Sequence, residues 1–223
     1  MIPCRATAGD VAVRVTGLRR RIEAAGGDPS AVTIVAVTKG FDRAAVDAAV
    51  GAGLVDLGEN YAQELVAKAT LAGPRWHMIG RLQRNKVRSL ASLVALWQSV
   101  DRPELGVEIA RRAAGAAVLV QVNTSGEDQK GGCAPTATRA LVADLLAEGL
   151  SVEGLMTVAS GAGGEQARAC FRVLRQLADD LGLPSRSMGM SSDLEEAVAE
   201  ATTMVRVGTA LFGPHADGEH MRN

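Results

Sequence analysis

Along this chain, short runs of Val, Ile and Leu alternate with longer stretches rich in Ala, Leu, Glu and Arg, whose apolar residues recur at helical spacing. An opening helical pattern covers Asp10 to Ala25. The short runs that follow are VTIVAVT ending at Thr38, LVDL at Leu57, RWHMI at Ile79, LWQSV at Val100, AVLVQV at Val122, VEGLM at Met156, SRSM at Met188 and MVRV at Val207. Between them, Arg43 to Val50, Ala62 to Leu71, Pro103 to Ala114, Thr136 to Glu148, Gln166 to Leu181 and Leu194 to Ala201 are each long enough for a crossover helix. Strands that are apolar throughout and alternate with helices call for a parallel sheet covered by those helices. Eight such units predict an α/β fold closed as a (β/α)8 TIM barrel, with an open doubly wound sheet as the alternative. No linker or low-complexity tract divides the chain. Residues 1–223 are therefore expected to form a single domain, with 1–28 as an N-terminal helical extension and SGAGGE (Ser160 to Glu165) as a βα loop.

Composition narrows the function. The 223 residues are 47% hydrophobic and 22% charged, enough apolar side chain for a packed interior. Lys plus Arg number 24 against 25 Asp plus Glu, and aromatics are 3%, so neither the basic footprint nor the stacking platform of a nucleic-acid binder is present. The longest apolar runs fall far short of the roughly 20 residues of a membrane helix. The opening residues carry no signal-like apolar core, and a cytoplasmic setting is expected. Cys4, Cys133 and Cys170 are widely spaced and read as reduced thiols. His77, His215 and His220 lack metal-ligand spacing, and no Gly-x-Gly-x-x-Gly or Walker A motif occurs.

In barrels of this kind the active site lies at the carboxyl ends of the strands. The first strand delivers Lys39 there, followed by Gly40. One reading is a solvated lysine at a strand end. The other is an amine partly desolvated by Val35 and Val37 and able to form a Schiff base with a carbonyl. Lysine is scarce, at Lys39, Lys68, Lys86 and Lys130, and only Lys39 directly ends a predicted strand. Asn60, after the second strand, reads as a helix N-cap or as a hydrogen-bonding group for a ligand. His77 alternates with Trp76 and Met78, so it faces the other way, either as a structural histidine or, near the barrel top, as a surface for a planar ligand. After the seventh strand, MGMSSDLEE offers Ser191 and a capping box formed by Ser192 and Glu195. After the eighth, Gly208 and Thr209 form a tight turn with a hydroxyl. The loops after strands seven and eight are where such barrels take phosphate. Arg206 shares a face with Met204 and Gly208 in an otherwise apolar strand. Its buried guanidinium needs an acceptor, which an acid or an unprotonated ring nitrogen would supply. The basic run Arg81 to Arg88 reads mainly as a solvated helix face, with anion binding as the alternative.

The blocks VAVTKG, GENYAQE, WHMIGRLQRNKV, QVNTSGEDQKGG, GLMTV, SMGMSSDLEEAV and TMVRVGTALFG resemble, in order and spacing, the YggS/PROSC family of pyridoxal phosphate homeostasis proteins over nearly the whole chain. The resemblance implies the fold-type III barrel of the alanine racemase N-terminal domain, carrying pyridoxal 5′-phosphate (PLP) as an internal aldimine. It implies that Lys39 is the aldimine lysine and that Arg206 partners the pyridine nitrogen. Ser191, Gly208 and Thr209 would form the phosphate cradle, with Asn60 and His77 lining the cofactor. The chain departs from the pattern where Gly40 replaces a commoner Thr and Leu57 a commoner Phe. An arginine at the ring nitrogen weakens the cofactor as an electron sink. Racemases with that partner add a tyrosine from a β domain for which this chain has no residues, and Tyr61 is its only tyrosine. The expected function is a PLP carrier without robust turnover that serves PLP-dependent apoenzymes as a monomer or weak homodimer. The alternatives are a small PLP-dependent racemase or decarboxylase, or a sugar-phosphate barrel without PLP.

Overall fold

The structure, a computed structural model, describes residues 1–69, 73–160 and 163–214. Eight parallel strands close into a barrel in sequence order: β1 (Thr33–Val37), β2 (Asp56–Glu59), β3 (Arg75–Met78), β4 (Val94–Val100), β5 (Ala117–Gln121), β6 (Ser151–Met156), β7 (Ser185–Ser187) and β8 (Met204–Val207). Pairing of β8 back onto β1, with Val35 opposite Arg206, closes the cylinder and rules out the open sheet. Helix α1 (Ala8–Ala24) precedes the barrel. The outer ring comprises α2 (Arg43–Gly51), α3 (Ala62–Lys68), α4 (Val87–Leu90), α5 (Pro103–Arg112), α6 (Thr138–Ala147), α7 (Gly164–Asp180), α8 (Leu194–Ala199) and α9 (Thr209–Phe212).

Two separate cores explain why the strands read as continuous apolar runs. Ile34, Ala36, Val118, Val120, Trp76 and Trp97 point outward and pack under the helices. Val35, Leu96, Leu119, Met156 and Met204, on the alternate positions, fill the barrel interior. Fully burying such a side chain contributes roughly 1.5–3 kcal/mol, so both faces favour the same strand register. Helix α1 begins with a capping box in which the Thr7 hydroxyl accepts from the Asp10 N–H and the Asp10 carboxylate accepts from the Thr7 N–H.

Several boundaries differ from the sequence expectation. β2 begins at Asp56, so Leu54 and Val55 lead into it instead of forming its start. α3 ends at Lys68, with Ala69 as its C-cap; Leu71, residues 161 and 162 of SGAGGE, His215 and His220 lie outside the described residues. The capping box of Ser192 and Glu195 does not form. Asp193 is the N-cap of α8 and makes no side-chain cap bond, while Glu195 accepts two hydrogen bonds from Arg21 of α1, at 2.7 and 2.8 Å. A paired guanidinium is a stronger donor to a carboxylate than a neutral backbone N–H, which is why the interhelical contact prevails over the local one.

Candidate functional site

A cavity of about 540 Å³ opens at the carboxyl end of the barrel, lined by Val37, Lys39, Asn60, Ile79, Val158, Met190, Ser191, Ser192, Arg206, Gly208 and Thr209. It brings together six of the seven residues expected from the sequence: Lys39, Asn60, Ser191, Arg206, Gly208 and Thr209. Lys39 stands exposed at the mouth, not sunk between Val35 and Val37; Val35 belongs to the barrel interior below. The seventh residue, His77, does point into the barrel, on the face opposite Trp76 and Met78. It lies beneath the cavity, fully buried, and does not line it. Its Nε2 lies 2.9 Å from Asp56 and its Nδ1 lies 2.7 Å from the Gln98 amide nitrogen, so both ring nitrogens are engaged in the floor.

The backbone on both sides of Lys39 is clamped by charges that the sequence reading left unassigned. Lys68, 1% exposed, donates to the Thr38 carbonyl at 2.8 Å and to Glu64 at 2.9 Å, and forms a buried ion pair with Glu59. Glu59 also accepts from the Thr38 hydroxyl at 2.8 Å, and Glu64 accepts from the Gly40 N–H at 2.8 Å. Burial pushes the Glu59 carboxyl above its ordinary value, outweighing the pull of Lys68 and Thr38. The one available signal was the Glu59, Glu64, Lys68 spacing, which sets Lys68 one turn beyond Glu64 on α3.

On the far side of the cavity, α1 holds the loop after β7. Arg21 donates to the Ser191 carbonyl at 3.1 Å as well as to Glu195, so the extension supports the expected anion cradle. Arg14 of the same helix donates to the Leu211 carbonyl at 2.7 Å, and Phe41 packs against Phe212 with ring centroids 5.6 Å apart, fixing α9 beside the end of β1. A Cβ at Gly208 would sit 3.2 Å from the Val37 carbonyl, so glycine is what allows this turn to lie against β1. A Cβ at Gly80 would come within 2.2 Å of the Asn60 carbonyl; glycine there lets the chain after β3 pass directly beside Asn60. Asn60 is not an N-cap, since that position of α3 belongs to Tyr61, which makes no side-chain cap bond.

Arg206, 5% exposed, donates to the Ser187 hydroxyl and to the Thr157 carbonyl, each at 2.7 Å. It has no carboxylate partner among its hydrogen bonds, and burial pushes its guanidinium down to about 10, which leaves it charged at neutral pH. The basic run after β3 is solvent-exposed at Arg81, Arg84 and Arg88 and turns through a 3-10 helix (Arg84–Lys86) into α4, as the solvated-face reading expects. Arg81, Leu82, Gln83 and Lys86 line a neighbouring cavity of about 580 Å³ that also includes Asn60, Tyr61 and Arg102.

This arrangement has close relatives. Residues 18–216 match the family model described as alanine racemase, N-terminal domain. A pyridoxal phosphate homeostasis protein of Pseudomonas aeruginosa is 43% identical, covering 92% of this chain and 94% of its own length. The chain belongs to the pyridoxal phosphate homeostasis protein family. The structure of PipY from Synechococcus elongatus with PLP bound superimposes with a TM-score of 0.79 at 33% identity, covering 91% of this chain and all of the other. The barrel of alanine racemase from Bacillus anthracis shares the fold at 16% identity and a TM-score of 0.71. There the match covers 97% of this chain and 58% of the racemase. Membership in the family thus coincides with the closed barrel, and the chain spans nearly the full length of its homeostasis relatives.

Proposed function

We propose that this protein binds pyridoxal 5′-phosphate at the barrel mouth and acts in its homeostasis, holding it for storage or delivery with Lys39 as the point of attachment. The observation that carries this reading is a cavity that unites a primary amine, a buried guanidinium and a hydroxyl-bearing turn from the last two loops. The group fits this donor set: when bound, PLP supplies an aldehyde carbon that is electrophilic toward a primary amine, together with a dianionic tail. Lys39 would provide the amine. Ser191, Gly208 and Thr209 would take the phosphate, and Asn60 would contact the ring substituents. Arg206, which has only donors, would face the ring nitrogen and keep it unprotonated. PipY, a relative solved with PLP bound, supports PLP as the ligand.

An unprotonated ring weakens the cofactor as an electron sink for carbanion chemistry, and a racemase with this ring partner also needs a positioned tyrosine as second acid or base. The chain's only tyrosine, Tyr61, lines the neighbouring cavity and is 58% exposed, a poor setting for a positioned acid or base. The relatives' naming as homeostasis proteins supports the same choice. The proposal extends to PLP-dependent apoenzymes as recipients, to action as one barrel domain in the cytoplasm, and to a monomer or weak homodimer.

The test is an absorbance spectrum of the purified protein with PLP, before and after borohydride, followed by sequencing of the labelled peptide. A visible band, lost on reduction, with the label on the Lys39 peptide is expected; a protein that takes up no PLP would favour the sugar-phosphate alternative. Incubation with single amino acids should give no appreciable α-deuterium exchange, and robust exchange would replace the carrier with an enzyme. Two substitutions probe the donors. Arg206→Glu offers the ring nitrogen an acceptor, so the pH titration of the absorbance band should move; an unchanged titration would mean that Arg206 does not touch the ring. Gly208→Val fills the turn against Val37, and PLP affinity should fall about tenfold or more, equivalent to ~1.4 kcal/mol, with inorganic phosphate competing correspondingly less well.

A further inference from the structure

Beneath the cavity a line of buried polar side chains crosses the barrel interior: Arg206 on β8, Ser187 on β7, Gln98 on β4, His77 on β3 and Asp56 on β2. Ser187, Gln98 and His77 are fully buried, and Asp56 is nearly so. Of these, only Arg206 lines the cavity. Burying polar groups is costly unless every one is paired, so a polar line through an interior otherwise filled by Val35, Leu96, Leu119, Met156 and Met204 calls for an explanation.

Donor and acceptor chemistry fixes the direction of this line. Arginine has no acceptor, so at 2.7 Å from Arg206 the Ser187 hydroxyl must accept. Its own hydrogen then goes to the Gln98 carbonyl oxygen at 2.6 Å. That orients the amide, placing the Gln98 nitrogen 2.7 Å from Nδ1 of His77 and 3.0 Å from the Met204 sulfur, one acceptor for each of its two hydrogens. With Nδ1 accepting, the ring hydrogen lies on Nε2, which donates to Asp56 at 2.9 Å. Asp56 also accepts from Arg75 at 2.9 Å. Turning the amide over would set its oxygen against the Met204 sulfur and demand a hydrogen on both ring nitrogens of His77. The line therefore has one self-consistent arrangement at neutral charge on His77.

We infer that Ser187, Gln98, His77 and Asp56 form a one-directional hydrogen-bond chain that holds the Arg206 guanidinium in its orientation from below, making Ser187 and Gln98 positioning residues for the ring-facing charge. This rests on the reading that Arg206 faces the cofactor ring. It also gives His77 a place in the site without contact: His77 anchors the far end of the chain through Asp56, and the Thr157 carbonyl holds the second Arg206 nitrogen.

Two measurements test it. In the cofactor-free protein, ¹⁵N spectra of labelled histidine should show His77 as the Nε2–H tautomer. Gln98→Glu, which places a carboxylate opposite Nδ1, should add a hydrogen there and convert His77 to the doubly protonated form. In the PLP-loaded protein, Ser187→Ala should move the pH titration of the absorbance band in the same direction as Arg206→Glu and weaken PLP binding about tenfold, the scale of one lost charge-assisted hydrogen bond. If Ser187→Ala does not fold, Gln98→Glu carries the same spectroscopic comparison at unchanged side-chain size. The inference is overturned if Ser187→Ala or Gln98→Glu titrates like the unsubstituted protein while Arg206→Glu does not, or if His77 carries its hydrogen on Nδ1. Should Arg206→Glu itself leave the band untouched, the ring-facing reading fails first and the positioning role falls with it.

Discussion

Lys39→Ala is expected to abolish both the visible absorbance band of the PLP-loaded protein and the borohydride-fixed label, while the melting temperature stays close to that of the unsubstituted protein. The two halves of this result come from one observation. Lys39 lines the cavity beside the loop after β8, and no other lysine lines that cavity, so none there can replace it. Its side chain is also exposed, and truncating an exposed side chain away from caps and cores usually changes stability by no more than about 0.5 kcal/mol. Residual noncovalent PLP binding through Ser191, Gly208 and Thr209 should remain measurable by dialysis. A surviving band with the label on a peptide containing Lys86 or Lys130 would move the attachment point elsewhere.

Lys68→Met should be the most destabilising single change near the site. Lys68 and Glu59 are buried together, and removing one partner of such a pair leaves the other as an uncompensated buried charge, at a cost of about 3–5 kcal/mol. For a domain of this size that corresponds to a fall in melting temperature on the order of 10 °C. The loss should depend on pH. Burial already pushes Glu59 upward, and without the Lys68 cation it rises further. A carboxyl with a folded value above its unfolded value binds more protons when folded. Stability therefore falls as pH rises from the unfolded value through the folded one, and the penalty is absent below that window. The deficit of Lys68→Met relative to the parent should thus be larger at pH 8 than at pH 5, as read by chemical denaturation. A second substitution, Glu59→Leu, should recover much of the loss, since an apolar pair in place of a buried ion pair is often close to neutral. Equal stability of Lys68→Met and parent at pH 8 would refute the account. Because Lys68 and Glu64 also hold the Thr38 carbonyl and the Gly40 N–H, the variant should bind PLP less tightly at temperatures where it remains folded.

The residues at strand ends were the legible part of the site. Lys39, Ser191, Gly208 and Thr209 follow strands whose apolar runs are unmistakable, and in a parallel barrel those positions converge on one mouth. Arg206 was legible as a charge in an apolar strand. His77 was half legible: alternation set it on the face opposite Trp76 and Met78, but which face is the interior, and its depth there, depend on the tertiary packing of β3 and its neighbours. The register Gly58 with His77 sets it a level below the cavity. The capping box at Ser192 failed for a related reason, because Arg21, 174 residues away in the chain, engages Glu195.

What the sequence determined by itself is the α/β class and the chemistry-bearing strand ends. The hydrophobic pattern is local, and eight runs apolar on both faces call for a parallel sheet wrapped in helices; its closure was decided by the pairing of β8 with β1. The tertiary structure alone decided which polar side chains meet inside it. The clamp of Lys68, Glu59 and Glu64 and the chain from Arg206 through Ser187 and Gln98 to His77 join residues distant in sequence. Such contacts are set by strand register and barrel closure, and a hydrogen bond requires agreement to a few tenths of an ångström that no periodicity in a sequence can specify.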